Sequence, residues 1–212
     1  AGMRSPRRVH MIFTGMEHSL QVLTVSMIIY GLIKDVNSGK TNGLLVTGIL
    51  AAPLIRYENL AISLPALLYF FLKDNSQNTF KNKRIAVVLF VIIIILLGGF
   101  SLFLLNMGLK PLPTSIYAKS SVVNTSGAIS TLAGNLKDSL TNPRGILLAI
   151  GMLCLASFAL FSKERRNKRL LAFCISISIS LHLLFGSYGW YHRYEIYIWV
   201  AMLLSFIFIF NG

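Results

Sequence analysis

Long uninterrupted apolar segments dominate this sequence, and they restrict it to few folds. The hydrocarbon core of a bilayer is about 30 Å thick, and a helix needs about 20 apolar residues to cross it. Of all residues, 55% are hydrophobic and only 13% are charged, against about 25% charged in a soluble domain. The chain is therefore predicted to be an all-α, polytopic membrane helix bundle. Five apolar segments reach or approach the length of a span, at 16–33, 85–107, 145–161, 170–185 and 196–210.

A further apolar run, 43–72, is too long for one span, and polar residues interrupt it. Pro53 lies in its middle and is followed by Arg56-Tyr57-Glu58, whose charges are costly inside hydrocarbon. We predict two short helices, 43–55 and 59–72, that turn at this first RYE. The total is about seven membrane segments in a single transmembrane domain that covers residues 1–212.

The net charge of +13 is concentrated in short connections between the apolar segments. Lysines and arginines cluster at 73–84 and at 163–169, and the positive-inside rule assigns such loops to the cytoplasm. Basic loops of a membrane protein explain the charge, so nucleic acid is not predicted as a partner. Alternation of the segments then predicts that both RYE tripeptides and a long loop, 108–144, face the extracytoplasmic side.

Two groups of residues are predicted to have structural roles only. Asp35, Asp74 and Glu164 lie among lysines and arginines of the predicted cytoplasmic loops, where a solvated role explains them. Cys154 and Cys174 lie inside predicted membrane helices, and we interpret them as small apolar core residues rather than a disulfide or a metal pair.

Three other carboxylates, Glu17, Glu58 and Glu195, are predicted at the outer ends of helices. A charge near the hydrocarbon boundary is costly unless it is paired or hydrated, so together they predict one cavity on the outer face. Structural alternatives stay open for each of them. Thr14 and Glu17 have the spacing of a capping box, and the arginine of each RYE can neutralise its glutamate as a plain ion pair.

The long outer loop is expected to be functional, because a loop of this length is uncommon in a compact protein. Prolines near its start enforce an extended backbone, and Tyr117 lies in the short segment that follows them. Apolar residues recur at helical spacing within 121–140, which predicts a helix on the membrane surface. Lys110 and Lys119 are either ordinary loop lysines or point charges that hold phosphate.

Four segments in this order, TGMEHSL, LIRYENLAISLP, LPTSIYAK and GWYHRYEIYI, resemble those of GT-C-type membrane glycosyltransferases. The likeness is to the branch with the mycobacterial arabinofuranosyltransferases and related bacterial polyprenyl-phosphate-sugar enzymes, and it covers residues 13–200. The resemblance implies a multi-pass enzyme of the bacterial inner membrane. Such an enzyme moves a sugar from a polyprenyl-phosphate donor to a glycan, lipid or protein acceptor on the extracytoplasmic face.

This chemistry needs a carboxylate that deprotonates the attacking hydroxyl and cations that stabilise the departing phosphate. The resemblance implies that Glu17, Glu58 and Glu195 contact sugar or acceptor hydroxyls. A divalent cation occurs in some relatives, but the sequence has no paired-acid motif, so no metal ligand is assigned. The candidates for substrate or phosphate binding are Arg56, Lys110, Tyr117, Lys119, His192 and Arg193.

The sequence departs from the family in two places. LPTSIYAK lacks an asparagine before its threonine, and no membrane helix with a following acidic loop precedes Ala1. We therefore expect the chain to be part of a longer protein whose general base lies in the preceding segment. The alternative is that Glu17 or another outer carboxylate of this chain is the general base. Three alternatives stay open: a polysaccharide polymerase, a flippase-like transporter of lipid-linked sugars, and a noncatalytic membrane assembly subunit.

Overall fold

The computed structural model describes residues 7–73, 79–111, 128–186 and 195–211. Every regular element in these ranges is helical, which confirms the predicted class. The elements are α1 (Arg7–Ser38), α2 (Gly43–Ile55), the 3₁₀ turn η1 (Tyr57–Asn59), α3 (Leu60–Leu72), α4 (Thr79–Asn106), α5 (Ala128–Thr141), α6 (Pro143–Phe161), α7 (Arg166–Phe185) and α8 (Ile196–Phe210).

Four of these helices contain stretches long and apolar enough to cross a membrane. They are Glu17–Ser38, Phe80–Asn106, Pro143–Phe161 and Arg166–Phe185. Helices α2, α3 and α8 are apolar but shorter, with 13, 13 and 15 residues. A helix of this length extends only about 20 Å. Each of the seven predicted segments overlaps an α-helix, and four of the helices meet the length of a full span.

The start of α1 corrects the prediction for the N-terminal region. The helix runs from Arg7, so Glu17 lies well inside it and cannot cap its first turn. No proline follows Pro6 before Glu17, so every residue of this stretch has the backbone N–H that a helix needs. The capping box, one of the two interpretations of Glu17, is therefore wrong.

Helix α7 is at the centre of the bundle and contacts α1, α3, α5, α6 and α8. Its neighbour α1 packs closely on α2, because Gly31 and Gly48 have no side chains to separate the two backbones. A Cβ at Gly31 would lie 2.6 Å from the Cβ of Leu45. Close packing of this kind drives association of helices in lipid, where no hydrophobic effect acts between them.

Helix α4 is peripheral and contacts α2 and α3. Only 11% of its most apolar stretch is buried, and Val91, Ile95 and Phe103 are among its exposed side chains. An apolar helix with so much exposed surface is typical of a lipid-facing position in a membrane protein.

The cysteines differ in their surroundings. Cys174 is buried in α7 and belongs to the core, as predicted. Cys154 is exposed, so the predicted core role is wrong for this residue. It lies outside the stripe through Leu148, Gly151 and Leu155 that α6 buries.

Contacts between helices define two ends of the bundle. At the first, which we name the Arg56 end, Arg56 pairs with Glu17 and the carbonyl oxygen of Glu58 accepts a hydrogen bond from α8. At the second, the Asp35 end, Asp35 near the end of α1 contacts Lys73 after α3. Helices α1 and α3 therefore both run from the Arg56 end to the Asp35 end. Alternation across a membrane requires the same direction for these two helices, because α2 lies between them in the sequence.

Helix α5 lies in the segment where helical spacing predicts a helix; residues 121–127 of that segment are outside the described ranges. It packs on α6 and α7 at the Arg56 end. Ser139 Oγ donates to the carbonyl oxygen of Leu183 at 2.9 Å, and Asn135 Nδ2 donates to that of Leu184 at 3.2 Å. These bonds satisfy carbonyls that the last turn of α7 leaves without helical partners.

Candidate functional site

Arg56 joins three elements at the Arg56 end. It ends α2 with an extended backbone, and its side chain is only 8% exposed. Its Nε lies 3.1 Å from Glu17 Oε1 of α1 and 3.1 Å from Glu58 Oε2 of η1. The guanidinium therefore holds two carboxylates that are 41 positions apart in the sequence, and we name these three residues the Glu17–Arg56–Glu58 cluster.

Buried amides support the cluster from the interior of the bundle. Arg56 Nη1 donates to Gln21 Oε1 at 3.4 Å, and Gln21 Nε2 donates to Asn59 Oδ1 at 2.9 Å. Asn59 Nδ2 in turn donates to the carbonyl oxygen of Ala52 at 2.8 Å. Gln21 and Asn59 are 1% and 0% exposed. Polar groups without water need such partners, so the network fixes α1, α2 and η1 in one arrangement.

His18 lies beside the same arginine, with Nδ1 3.3 Å from Arg56 Nη1. Because an arginine can only donate, this contact requires Nδ1 to accept and places the ring proton on Nε2. His18, Gln21 and Asn59 are not among the residues predicted from the sequence. The available signal was their position next to Glu17 and Glu58 in otherwise apolar segments.

The cluster has an excess of negative charge, since it contains two carboxylates and one guanidinium. The side chains of Glu17 and Glu58 are 42% and 33% exposed, so both carboxylates reach the surface above a buried arginine. An arginine whose positive charge already faces two carboxylates is poorly suited to bind a further anion. Its geometry favours the positioning of Glu17 and Glu58 over direct binding of a phosphate.

Tyr197 and His182 extend the polar contacts into α7 and α8. The Tyr197 hydroxyl lies 2.8 Å from His182 Nδ1 and donates to the carbonyl oxygen of Glu58 at 3.5 Å. The two side chains are almost fully buried, and their rings meet edge to face. Neither residue is predicted from the sequence, because a single histidine or tyrosine in an apolar helix is common in cores.

Glu195 lies at the same end but has other partners. It precedes α8 and is only 3% exposed. Burial raises the pKa of its carboxyl group, while the charge of Arg144 and a hydrogen bond with Trp199 act in the opposite direction. Among the described residues, Glu17 and Glu58 thus pair with Arg56, whereas Glu195 faces the charge of Arg144. The cavity that would join all three carboxylates stays a prediction.

The other predicted binding residues are only partly described. Lys110 is exposed beyond the end of α4. Tyr117, Lys119, His192 and Arg193 lie outside the described residues. Within the described part of the chain, no group of three or more His, Cys, Asp or Glu residues could hold a metal ion.

The opposite end contains a buried ion pair that the sequence did not predict. Lys73 Nζ lies 2.6 Å from Asp35 Oδ1 and donates to the carbonyl oxygen of Gly39 at 3.0 Å. Tyr69 and Thr41 donate hydroxyl hydrogen bonds to the same carboxylate at 3.0 and 3.4 Å. The side chains of Asp35 and Lys73 are 0% and 1% exposed.

The solvated role predicted for Asp35 is therefore wrong. Helix α1 continues to Ser38 and carries Asp35 against α3, which removes it from water. Glu164 does lie at the surface, where its half-exposed carboxylate is 3.8 Å from Lys168 Nζ. Asp74 lies outside the described residues.

Comparisons with known proteins find no family model, no curated protein and no solved structure that matches this chain. The function is accordingly inferred from the chemistry of the two ends of the bundle. The Arg56 end combines partly exposed carboxylates with buried polar support, and it is the candidate site.

Proposed function

We propose that this protein is a membrane glycosyltransferase that moves a sugar from a polyprenyl-phosphate donor to an acceptor hydroxyl on the extracytoplasmic side. The observation that carries the proposal is the Glu17–Arg56–Glu58 cluster. Two partly exposed carboxylates are held by one buried arginine at the end of a bundle of apolar helices. A lipid-linked donor would approach such a site from the surrounding membrane.

Carboxylates suit sugar chemistry because an ionised carboxylate only accepts hydrogen bonds, and sugars present many hydroxyl donors. A carboxylate of suitable position also takes the proton of the attacking hydroxyl. In the cluster, each of Glu17 and Glu58 meets Arg56 through one oxygen, Oε1 and Oε2 respectively. The arginine restrains both side chains, and restraint of this kind lowers the entropy cost of reaching the reactive geometry.

Arg56 is a positioning residue in this proposal rather than the phosphate ligand that the resemblance implies. The leaving phosphate is then bound by Lys119 and Arg193, the other cations of the resemblance, and by Lys110 at the start of the outer loop. Arg144 adds a further positive charge beside Glu195 at the same end. Cations placed at the leaving group stabilise the charge that develops in the transition state.

The test uses the purified full chain in liposomes with a panel of radiolabelled polyprenyl-phosphate sugars and a glycan acceptor. Glu17→Gln and Glu58→Gln keep the shape of the side chain and remove its charge. We expect kcat to fall by about a hundredfold to ten-thousandfold in the variant that lacks the general base. Asp138→Asn, which neutralises an exposed carboxylate on α5, is the matched control and retains activity.

Two results would contradict the proposal. The first is the absence of transfer from every donor in the panel by the wild-type protein. The second is transfer at the wild-type rate by the double variant Glu17→Gln/Glu58→Gln.

A second candidate, a noncatalytic membrane assembly subunit, is favoured by the internal pairing of the same cluster. Arg56 meets both carboxylates as well as Gln21 and His18, so these side chains have partners within the protein itself. Thermal unfolding in detergent separates the two functions. A donor that raises the Tm of the wild type but not that of Glu58→Gln supports the enzyme, whereas no shift with any donor supports the subunit.

A further inference from the structure

Two segments at the surface of the bundle share an unusual combination of residues. In each, a highly exposed phenylalanine is followed within five positions by three exposed cations. Phe80 is 91% exposed and Phe161 is 82% exposed, which are the highest values among the large apolar side chains that the structure describes. We name the two segments the Phe–basic segments; they contain Phe80, Lys81, Lys83 and Arg84, and Phe161, Lys163, Arg165 and Arg166.

Both Phe–basic segments lie at the Asp35 end. The first segment begins α4, and its Lys83 Nζ is 5.4 Å from the centroid of the Phe71 ring. Phe71 lies shortly before Lys73 in the sequence, and Lys73 belongs to the Asp35 end. The second joins α6 to α7, and Lys168 in the first turn of α7 has its Nζ 5.9 Å from the ring of Phe208, near the end of α8. Since α8 begins at the Arg56 end, its last turn belongs to the opposite end.

The cations of these segments are more exposed than two cations that lie near them, Arg169 and Lys73. Arg169 Nε donates to the carbonyl oxygen of Ala159 at 2.8 Å, and Lys73 is buried against Asp35. The six cations of the Phe–basic segments are instead all exposed. Glu164, the acid among them, lies 3.8 Å from Lys168, which is outside the segments.

An exposed phenylalanine beside exposed cations fits one environment, the boundary between acyl chains and charged headgroups. The ring is unfavourable in water and enters the apolar layer, while lysine and arginine are attracted to anionic headgroups at the same depth. A free phosphate ion would satisfy the cations but leave both rings in water. The pairing of ring and charge therefore selects a phospholipid.

We propose that the two Phe–basic segments form a docking surface for anionic diacyl phospholipids at the Asp35 end of the bundle. Each phenylalanine inserts beside the acyl chains, and the adjacent cations bind the phosphate and its neighbours in the headgroup layer. This surface is separate from the Glu17–Arg56–Glu58 cluster at the opposite end, and it does not depend on the proposed transferase activity.

The test measures which lipids the purified full chain retains. The protein is reconstituted in nanodiscs that contain equal parts of phosphatidylcholine and phosphatidylglycerol, and native mass spectrometry counts the bound lipids of each type. We expect phosphatidylglycerol to be retained in several-fold excess over phosphatidylcholine. The excess falls when salt is raised from about 0.1 M to about 1 M, because the Debye length shrinks from about 10 Å to about 3 Å.

Three variants divide the surface into its parts. Neutralising all six cations to glutamine abolishes the excess, whereas exchanging each lysine for arginine and each arginine for lysine preserves it. Phe80→Ala/Phe161→Ala reduces total lipid retention without removing the preference for phosphatidylglycerol. Lys137→Gln on α5, an exposed lysine at the Arg56 end, leaves retention unchanged.

The proposal is overturned if the wild type retains both lipids equally at low salt, a result that needs no variant to fold. It is also overturned if the neutral variant keeps the wild-type preference. Displacement of phosphatidylglycerol by inorganic phosphate at equal concentration would identify a simple anion site and reject the lipid surface.

Discussion

At the scale of single residues, Asp35 and Lys73 illustrate how strongly the free energy of a buried charge depends on its partner. Neither side chain reaches solvent, and Tyr69, Thr41 and the carbonyl of Gly39 complete the hydrogen bonds around them. Removing ions from water is expensive, and a buried pair recovers that cost only when both partners are present. The pair therefore acts as a fixed connection between α1 and the end of α3.

Asp35→Asn leaves the Lys73 ammonium buried without an opposite charge. We expect the free energy of unfolding to fall by about 3–5 kcal/mol, as measured by denaturant unfolding in detergent. The double variant Asp35→Asn/Lys73→Met removes both charges and regains much of the loss. The control is Glu164→Gln, which removes a half-exposed carboxylate 3.8 Å from Lys168 and costs less than about 1 kcal/mol. Equal losses in Asp35→Asn and Glu164→Gln would show that burial adds nothing to the Asp35 pair.

At the scale of elements, the contact between α1 and α2 depends on the absence of side chains. A Cβ at Gly31 would lie 2.6 Å from the Cβ and 2.9 Å from the Cα of Leu45, so the two helices would have to move apart. Gly98 on the peripheral helix α4 has nothing within 4 Å of the same position. The same substitution therefore has opposite consequences in the two helices.

Gly31→Ala is expected to destabilise the protein by about 1–3 kcal/mol through overpacking. Gly98→Ala, its matched control, is neutral or adds up to about 1 kcal/mol, because alanine favours the helix more than glycine does. Thermal unfolding of both variants in one detergent measures the difference. A Gly31→Ala protein as stable as Gly98→Ala would mean that α1 and α2 do not pack as closely as described.

At the scale of the whole molecule, the two ends of the bundle differ in chemistry. The Arg56 end contains partly exposed carboxylates supported by buried amides, and the Asp35 end contains the Phe–basic segments around a buried ion pair. Helix α7 joins the two ends and is 20 residues long, about 30 Å, which matches the hydrocarbon thickness of a bilayer.

Cysteine labelling in sealed vesicles checks this arrangement. With Cys154→Ser/Cys174→Ala as the background, Lys137→Cys and Lys163→Cys each place one exposed thiol near opposite ends of α7. A membrane-impermeant maleimide is expected to label one of the two variants from outside and the other only after the vesicles are opened. Labelling of both from the same side would reject a membrane-crossing α7.

The helices themselves were predictable from the sequence, because helix formation in an apolar segment is a local property. Backbone groups in hydrocarbon can be satisfied only within the segment, so a long apolar run must be helical. Prediction also succeeded at Arg56, where a charged tripeptide in an apolar run marks a turn between α2 and α3. The full length of α1 was not predictable in this way, since its first turns are polar enough to be taken for a loop.

The partners of the polar side chains were decided by the tertiary structure alone. Local sequence placed Arg56 beside Glu58, but only the packing of α1 on α2 brought Glu17 to the same guanidinium. The packing of α1 against α3 buried Asp35 against Lys73, 38 positions away, where the sequence suggested a solvated acid. Apolarity along a segment determines that it is a helix, whereas the rotation of each helix against its neighbours determines which charges meet, and that rotation depends on contacts distant in the sequence.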